Sequence, residues 1–256
     1  MEKIDMNVTQ SLIDGPKKVW RLSDIFGMLF AGLFALMIGG ALILLAFGGD
    51  ELAAGEMPEL TLGIAFAFIA LEIVAFGFGV GIVGLVRRID WGAAAWLRPM
   101  TGRWWLYSFL LGVLIIPVVG ATSLATQELL NIELESNPQL DVILPEGFSW
   151  LGIIGMTMMI GVLVPFVEEL FFRGVLFTWL LSKRSYIVSA LISSVVFGLF
   201  HVEPYLITGT AVLGLLAAWA MHKSGSIWAA VVIHGVNNGL QVILVYSYTY
   251  FDLPLT

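Results

Sequence analysis

Apolar runs long enough to cross a bilayer occur at about 25–47, 61–86, 104–126 and 149–182, and shorter ones follow at about 185–201, 206–222 and 227–247. The pattern predicts seven spans, or eight if the long fourth run is broken. The charges between the runs segregate by sign. Lys17, Lys18 and Arg21 precede the first run, Arg87, Arg88, Arg98 and Arg103 lie between the second and third, and Lys183 and Arg184 follow the fourth. The alternate loops, GGDELAAGEMPEL and QELLNIELESNPQLDVILPEG, carry no Lys or Arg. The positive-inside rule therefore places the N-terminus in the cytoplasm and the acidic loops outside, with the C-terminus outside if the spans number seven.

Composition agrees with this pattern. Of 256 residues 59% are hydrophobic and 12% charged, with a mean hydropathy of +0.95, outside the range of soluble globular domains. The expected fold is all-α, a multi-span transmembrane helix bundle in the cell (plasma or inner) membrane. It is read as one membrane domain over residues 1–256, without an internal repeat or a linker between soluble domains. The first twenty residues are polar, so no cleaved signal peptide is expected and insertion rests on the internal helices. The chain has no cysteine, which excludes disulfides, a thiolate nucleophile, thiolate metal sites and thiol lipidation. A formal charge of −7 offers no basic surface for nucleic acid.

Several short motifs fail on context. Gly79, Gly81 and Gly84 fit G-x-G-x-x-G but lie inside a span, where a close-packed helix face, with Gly77 and Gly81 as G-x-x-x-G, is the better account. His201 and Glu203 form H-x-E without the cysteines that a zinc deaminase needs. The zincin motif H-E-x-x-H is absent, and His222 beside Lys223 reads as a solvated interface residue.

What remains is a short set of polar groups in the later spans: Glu168, Glu169, Arg173, His201, His234, Asn237 and Asn238. Each ionised group near the bilayer centre costs on the order of 3 kcal/mol, so a cluster persists only if its members satisfy one another or perform a task. Counting back and forward from the turn at Lys183 and Arg184 puts Glu168 and His201 at a similar depth, roughly 22–26 Å along their helices. His234 and Asn238 lie about 12–20 Å from the same side, measured from the KSGS turn. Glu169 and Arg173, at i and i+4, are set to form a buried ion pair that fixes packing. Glu168 is rotated by about 100° and left without a cation, which makes it a usable general base. His234 and Asn238, also at i and i+4, present an imidazole and a carboxamide suited either to a helix–helix hydrogen bond or to donation toward an oxyanion.

The pieces EELFFR, FGLFH and HGVNN together resemble the E-E-x-x-x-R, F-x-x-x-H and H-x-x-x-N motifs of the CPBP family, the CaaX-protease and bacteriocin-processing (Abi) membrane proteins. The motifs cover about 168–238 inside a motif-bearing core of about 149–247. The resemblance implies an intramembrane endopeptidase with a cytoplasm-facing cavity, acting on a membrane-associated, lipidated or hydrophobic peptide or protein. It implies that Glu168 and His201 activate water, that His234 and Asn238 stabilise the oxyanion, and that Glu169 with Arg173 is a supporting pair. Asn237 falls outside the pattern. No cofactor is expected, with zinc on Glu168, His201 and His234 as the alternative. Asn238 beside His234 suits an oxyanion hole better than a metal site. Phe171, Phe172, Phe197, Phe200 and Trp179 are candidates to line a substrate groove or simply to pack.

A second reading of a different class is a non-proteolytic membrane immunity or scaffold protein of the same fold. A third is a proton-coupled carrier using Glu168 and Glu72, the lone carboxylate within FIALEIVAF. A peptidase is expected to tolerate Glu72→Gln, and a carrier is not.

Overall fold

The computed structural model describes residues 20–132 and 138–253, so Lys17, Lys18 and the middle of the second acidic loop lie outside the described residues. Within a bilayer every backbone polar group must be satisfied inside its own segment or by a neighbour, and the apolar runs accordingly form helices. They are α1 (Leu22–Phe47), α2 (Leu62–Arg87), α3 (Gly102–Leu129), α4 (Trp150–Leu181), α5 (Tyr186–Leu199), α6 (Pro204–Ser224) and α7 (Trp228–Tyr250). The chain is a multi-pass helical membrane protein, and Phe30, Met37, Leu85, Leu114 and Leu151 project outward as lipid-facing side chains do.

Six of these helices are long and apolar enough to span. The count differs from the predicted seven or eight for two physical reasons. Helix α5 has only 14 residues, about 21 Å of rise against a hydrocarbon core of about 30 Å. Helix α4 runs unbroken for 32 residues, so the fourth run does not divide. It instead widens into π-helical turns at Met159–Leu163 and Leu170–Phe177. The first lies just before Pro165, which lacks an N–H and would crowd the carbonyl four residues back in a regular α-helix. In the wider turn the Val164 N–H donates to the Met159 carbonyl, five residues back.

The helix limits follow local chemistry. Thr61 Oγ1 accepts from Ile64 N–H at the start of α2, and Ser149 Oγ from Gly152 N–H at the start of α4. Helix α6 has Pro204 in its first turn and ends at Gly225, whose φ of 70° is a left-handed cap that a Cβ would disfavour.

Two contacts set where the site forms. Helices α4 and α7 cross at bare backbone: a Cβ on Gly235 would lie 2.5 Å from the Gly161 carbonyl oxygen, and one on Gly161 would lie 2.8 Å from the Gly239 Cα. Gly235 and Gly239 are the small-x-x-x-small pair that brings His234 and Asn238 against α4. The glycines of α2 behave differently from the predicted face. A Cβ on Gly77 would lie 3.6 Å from Val167 Cγ1 and one on Gly81 would meet nothing among the described residues, whereas one on Gly79 would come within 3.0 Å of the Met28 carbonyl oxygen.

At the end rich in Arg and Lys, the segment between α2 and α3 folds over the bundle. Trp20 Nε1 donates to the Ala94 and Gly174 carbonyls, Ser226 Oγ to the Arg98 carbonyl, and Arg87 pairs with Asp24. His222 is not simply solvated there. It is half-buried and stacked between Tyr186 and Trp96, at ring separations of 4.5 and 6.1 Å.

Candidate active site

Glu168, Glu169 and Arg173 are buried in α4, and His234 is buried in α7. One carboxylate oxygen, Oε1 of Glu169, accepts from Arg173 Nη1 at 3.1 Å and lies 2.9 Å from His234 Nδ1. Glu168 points to the other side of the same ring, its Oε2 3.6 Å from His234 Nε2. Adjacent residues about 100° apart on α4 thus address opposite nitrogens of one imidazole. Because a carboxylate only accepts, the Nδ1 facing Glu169 carries the hydrogen, and Nε2 faces the reacting side. Asn238 Nδ2 lies 3.1 Å from that Nε2.

The Arg173 guanidinium is fully buried, lies over the Phe197 ring at 4.4 Å, and leaves Nε and Nη2 without a hydrogen-bond partner. Its head occupies space that Gly214 leaves open, since a Cβ on Gly214 would come within 2.6 Å of Nη2. The Gly214→Ala variant is therefore expected to displace the guanidinium and lower stability by about 1–3 kcal/mol, the usual range for overpacking. A lower thermal midpoint in detergent checks this, and an unchanged one would show that the head group moves freely.

His201 follows the end of α5, its Nδ1 3.2 Å from the Phe197 carbonyl oxygen. Phe197 stands between the two imidazoles, 5.0 Å from His201 and 5.4 Å from His234. Among the described residues no hydrogen bond joins His201 to Glu168.

The structure thus brings Glu168, Glu169, Arg173, His234 and Asn238 into one connected set, with His201 on its flank. Two features escape sequence reasoning. The Glu169–His234 contact joins residues 65 positions apart, and only the doubled glutamate, one residue for each face, hinted that Glu169 has a second partner. Asn237, outside the recognised motif, donates from Nδ2 to Asn238 Oδ1 at 2.9 Å. In addition, His234 and Asn238 do not aim at one external point as the spacing suggested, because the carboxamide turns its nitrogen to the ring.

Glu72 enters from α2. It sits one turn from Ile69 and from Phe76, both on the face turned to α4, and lies within electrostatic reach of Glu168. Zinc finds a poor fit. Among the described residues no three His, Asp or Glu side chains are grouped to hold an ion, and both nitrogens of His234 already face protein partners. The aromatic candidates divide in role. Phe172 and Phe197 are core, packed at 5.0 Å. Phe171 and Phe200 join Phe76 and Met28 around a small apolar cleft between α1, α2 and α4. Trp179 carries the Lys183 ammonium over its ring.

Comparison with known proteins finds similarity over the region that carries this geometry. Residues 150–240 match the family described as type II CAAX prenyl endopeptidase Rce1-like. The protein named "Putative membrane peptidase YdiL" from Bacillus subtilis (strain 168) is 33% identical over 81 residues, which is 31% of this chain and 33% of that protein. "UPF0177 protein YxdF" from Lactococcus lactis subsp. lactis (strain IL1403) is 27% identical over 136 residues, 51% of this chain and 72% of that one. The match thus spans about a third of the Bacillus protein. No solved structure matches the chain. The resemblance carried by the three motifs is borne out: over residues 150–240 the chain is similar to the Rce1-like family.

Proposed function

We propose that this protein is an intramembrane endopeptidase that hydrolyses a peptide bond of a membrane-associated, lipidated or hydrophobic peptide or protein, using Glu168 as general base and no metal ion. The observation that carries the reading is the arrangement around His234. One buried carboxylate is committed to a guanidinium and holds the ring, while its neighbour, without a Lys or Arg partner among the described residues, faces the ring's other nitrogen.

In this reading Glu168, with His201 on the flank, takes a proton from a water molecule whose oxygen attacks the scissile carbonyl carbon. The carbonyl oxygen becomes an oxyanion. The second N–H of Asn238 stabilises it, and His234, whose Nδ1–H is held by Glu169 and whose Nε2 accepts the first N–H, fixes that carboxamide in place. Collapse breaks the C–N bond as Glu168 returns the proton to the leaving nitrogen, giving a carboxylic acid and an amine. Water is consumed and the carboxylate is regenerated. Arg173 offsets the charge of Glu169 and so keeps two adjacent glutamates tolerable inside a span. The N-terminus is placed in the cytoplasm and the site is reached from that side, in keeping with the Arg and Lys at the ends of α2 and α4.

The test is cleavage of a quenched fluorescent peptide library by purified protein in detergent, with and without a strong zinc chelator. Turnover is expected to survive the chelator. Loss of turnover restored by added zinc would replace this mechanism with a metal-dependent one. A protein that cleaves neither the library nor a co-expressed membrane proteome would instead fit a scaffold of the same fold.

A further inference from the structure

We infer that Asn237 is a positioning residue: it determines which end of the Asn238 carboxamide faces His234 and the reacting centre. The inference rests on the peptidase reading for its kinetic meaning, but the hydrogen-bond arrangement is independent of it.

A carboxamide has two ends of nearly equal size and opposite hydrogen-bonding character, so its orientation is set by its partners and not by its shape. With Nδ2 toward His234, Asn238 donates to Nε2 and keeps a second N–H for a substrate oxyanion. Turned over, it would present Oδ1 to the ring, and its donors would point away from the ring. Consecutive residues on an α-helix do not normally face each other. Here Asn237 nevertheless reaches its neighbour, Nδ2 donating to Asn238 Oδ1 at 2.9 Å, which holds that oxygen away from the ring.

Asn237 is itself held. It is 3% exposed, and its main-chain carbonyl accepts from Gln241 Nε2 at 3.1 Å. Its own Oδ1 is buried and has no hydrogen-bond partner among the described residues. A side chain serving only to pack would not be selected to bury an unmatched acceptor. One whose N–H is required next door bears that penalty. The chain Asn237 to Asn238 to His234 to Glu169 is then consistent in direction: each side chain donates to the next, ending on a carboxylate that only accepts.

Asn237→Asp is the decisive variant, since it keeps the shape and replaces the donor by an acceptor. It draws Asn238 Nδ2 toward itself and turns Oδ1 to the ring. The expected result is a kcat at least about tenfold lower, up to the roughly 10²–10³-fold cost of losing an oxyanion donor, with KM within about twofold. Asn237→Ser, which retains a hydroxyl donor, is expected to recover part of the loss. In an Asn238→Ala background Asn237→Asp should lower kcat no further, whereas a general packing role would make the losses add. An Asn237→Asp enzyme with wild-type kcat, or additive losses, overturns the proposal. Should the protein cleave nothing, the peptidase reading fails instead. The positioning claim is then decided by 15N NMR of the ring of His234, one of three histidines in the chain. Its Nε2 signal is expected to shift in Asn237→Asp as the amide donor is withdrawn, and an unmoved signal overturns the claim.

Discussion

Glu168→Gln abolishes turnover and leaves the fold intact; that is the outcome expected from its surroundings. Glutamine keeps the shape and removes only the ability to take and return a proton, a role that contributes about 10²–10⁴-fold. Little structural support is lost with the charge. Its ion-pair contact is His234 Nε2 at 3.6 Å, too long for a strong hydrogen bond, and among the described residues no Lys or Arg pairs with Glu168. Neutralising an ionisable group inside a span removes part of the burial penalty, so thermal stability should hold or rise. Hydrolysis of whichever peptide the wild type cleaves, measured beside thermal unfolding in the same detergent, checks both halves. A variant that cleaves at the wild-type rate would move the base to another residue, with Glu72 the first candidate because it approaches Glu168 from α2.

The adjacent glutamate should behave in the opposite way. Glu169 accepts from Arg173 and orients His234 with one oxygen, and both partners are buried. Glu169→Gln leaves a fully buried guanidinium without its counter-charge, and breaking a buried pair in this way costs about 3–5 kcal/mol. His234 also loses the acceptor that holds its Nδ1–H, so activity falls with stability. The double variant Glu169→Leu with Arg173→Met separates the two effects. Removing both charges together should return most of the thermal stability, while turnover stays low because the imidazole is still unheld. If the double variant regains activity, His234 is oriented by something other than Glu169. One residue that governs activity alone, beside one that governs both, is a pattern that neither a carrier nor a scaffold reading accounts for.

Much of this was legible without coordinates because the bilayer makes local rules decisive. Hydropathy determines which stretches become helices, since a spanning segment has no other way to satisfy its backbone. The i, i+4 spacing determines that Glu169 meets Arg173 and that His234 and Asn238 share a face, since both are properties of a single helix. The motifs EELFFR, FGLFH and HGVNN mark the region that carries the family resemblance. Tertiary structure decided the remainder, for reasons that no single segment contains. Hydropathy marked the run that became α5 but not its 14-residue limit, and the π turns of α4 replace the break that its length had suggested. The crossing of α4 with α7 depends on Gly161 meeting Gly235 and Gly239 from another helix. That crossing gives Glu169 its second partner and puts Phe197 between the two histidines. The orientation of the Asn238 carboxamide is settled later still, by the side-chain hydrogen bond of a neighbour. Sequence by itself determined the helices and the candidate chemical groups, because those follow from burial and helical period. Only packing decided which atom of each group faces which, because hydrogen-bond direction is set by the partners that folding assembles, Glu169 for His234 from 65 positions away and Asn237 for Asn238 from the next position.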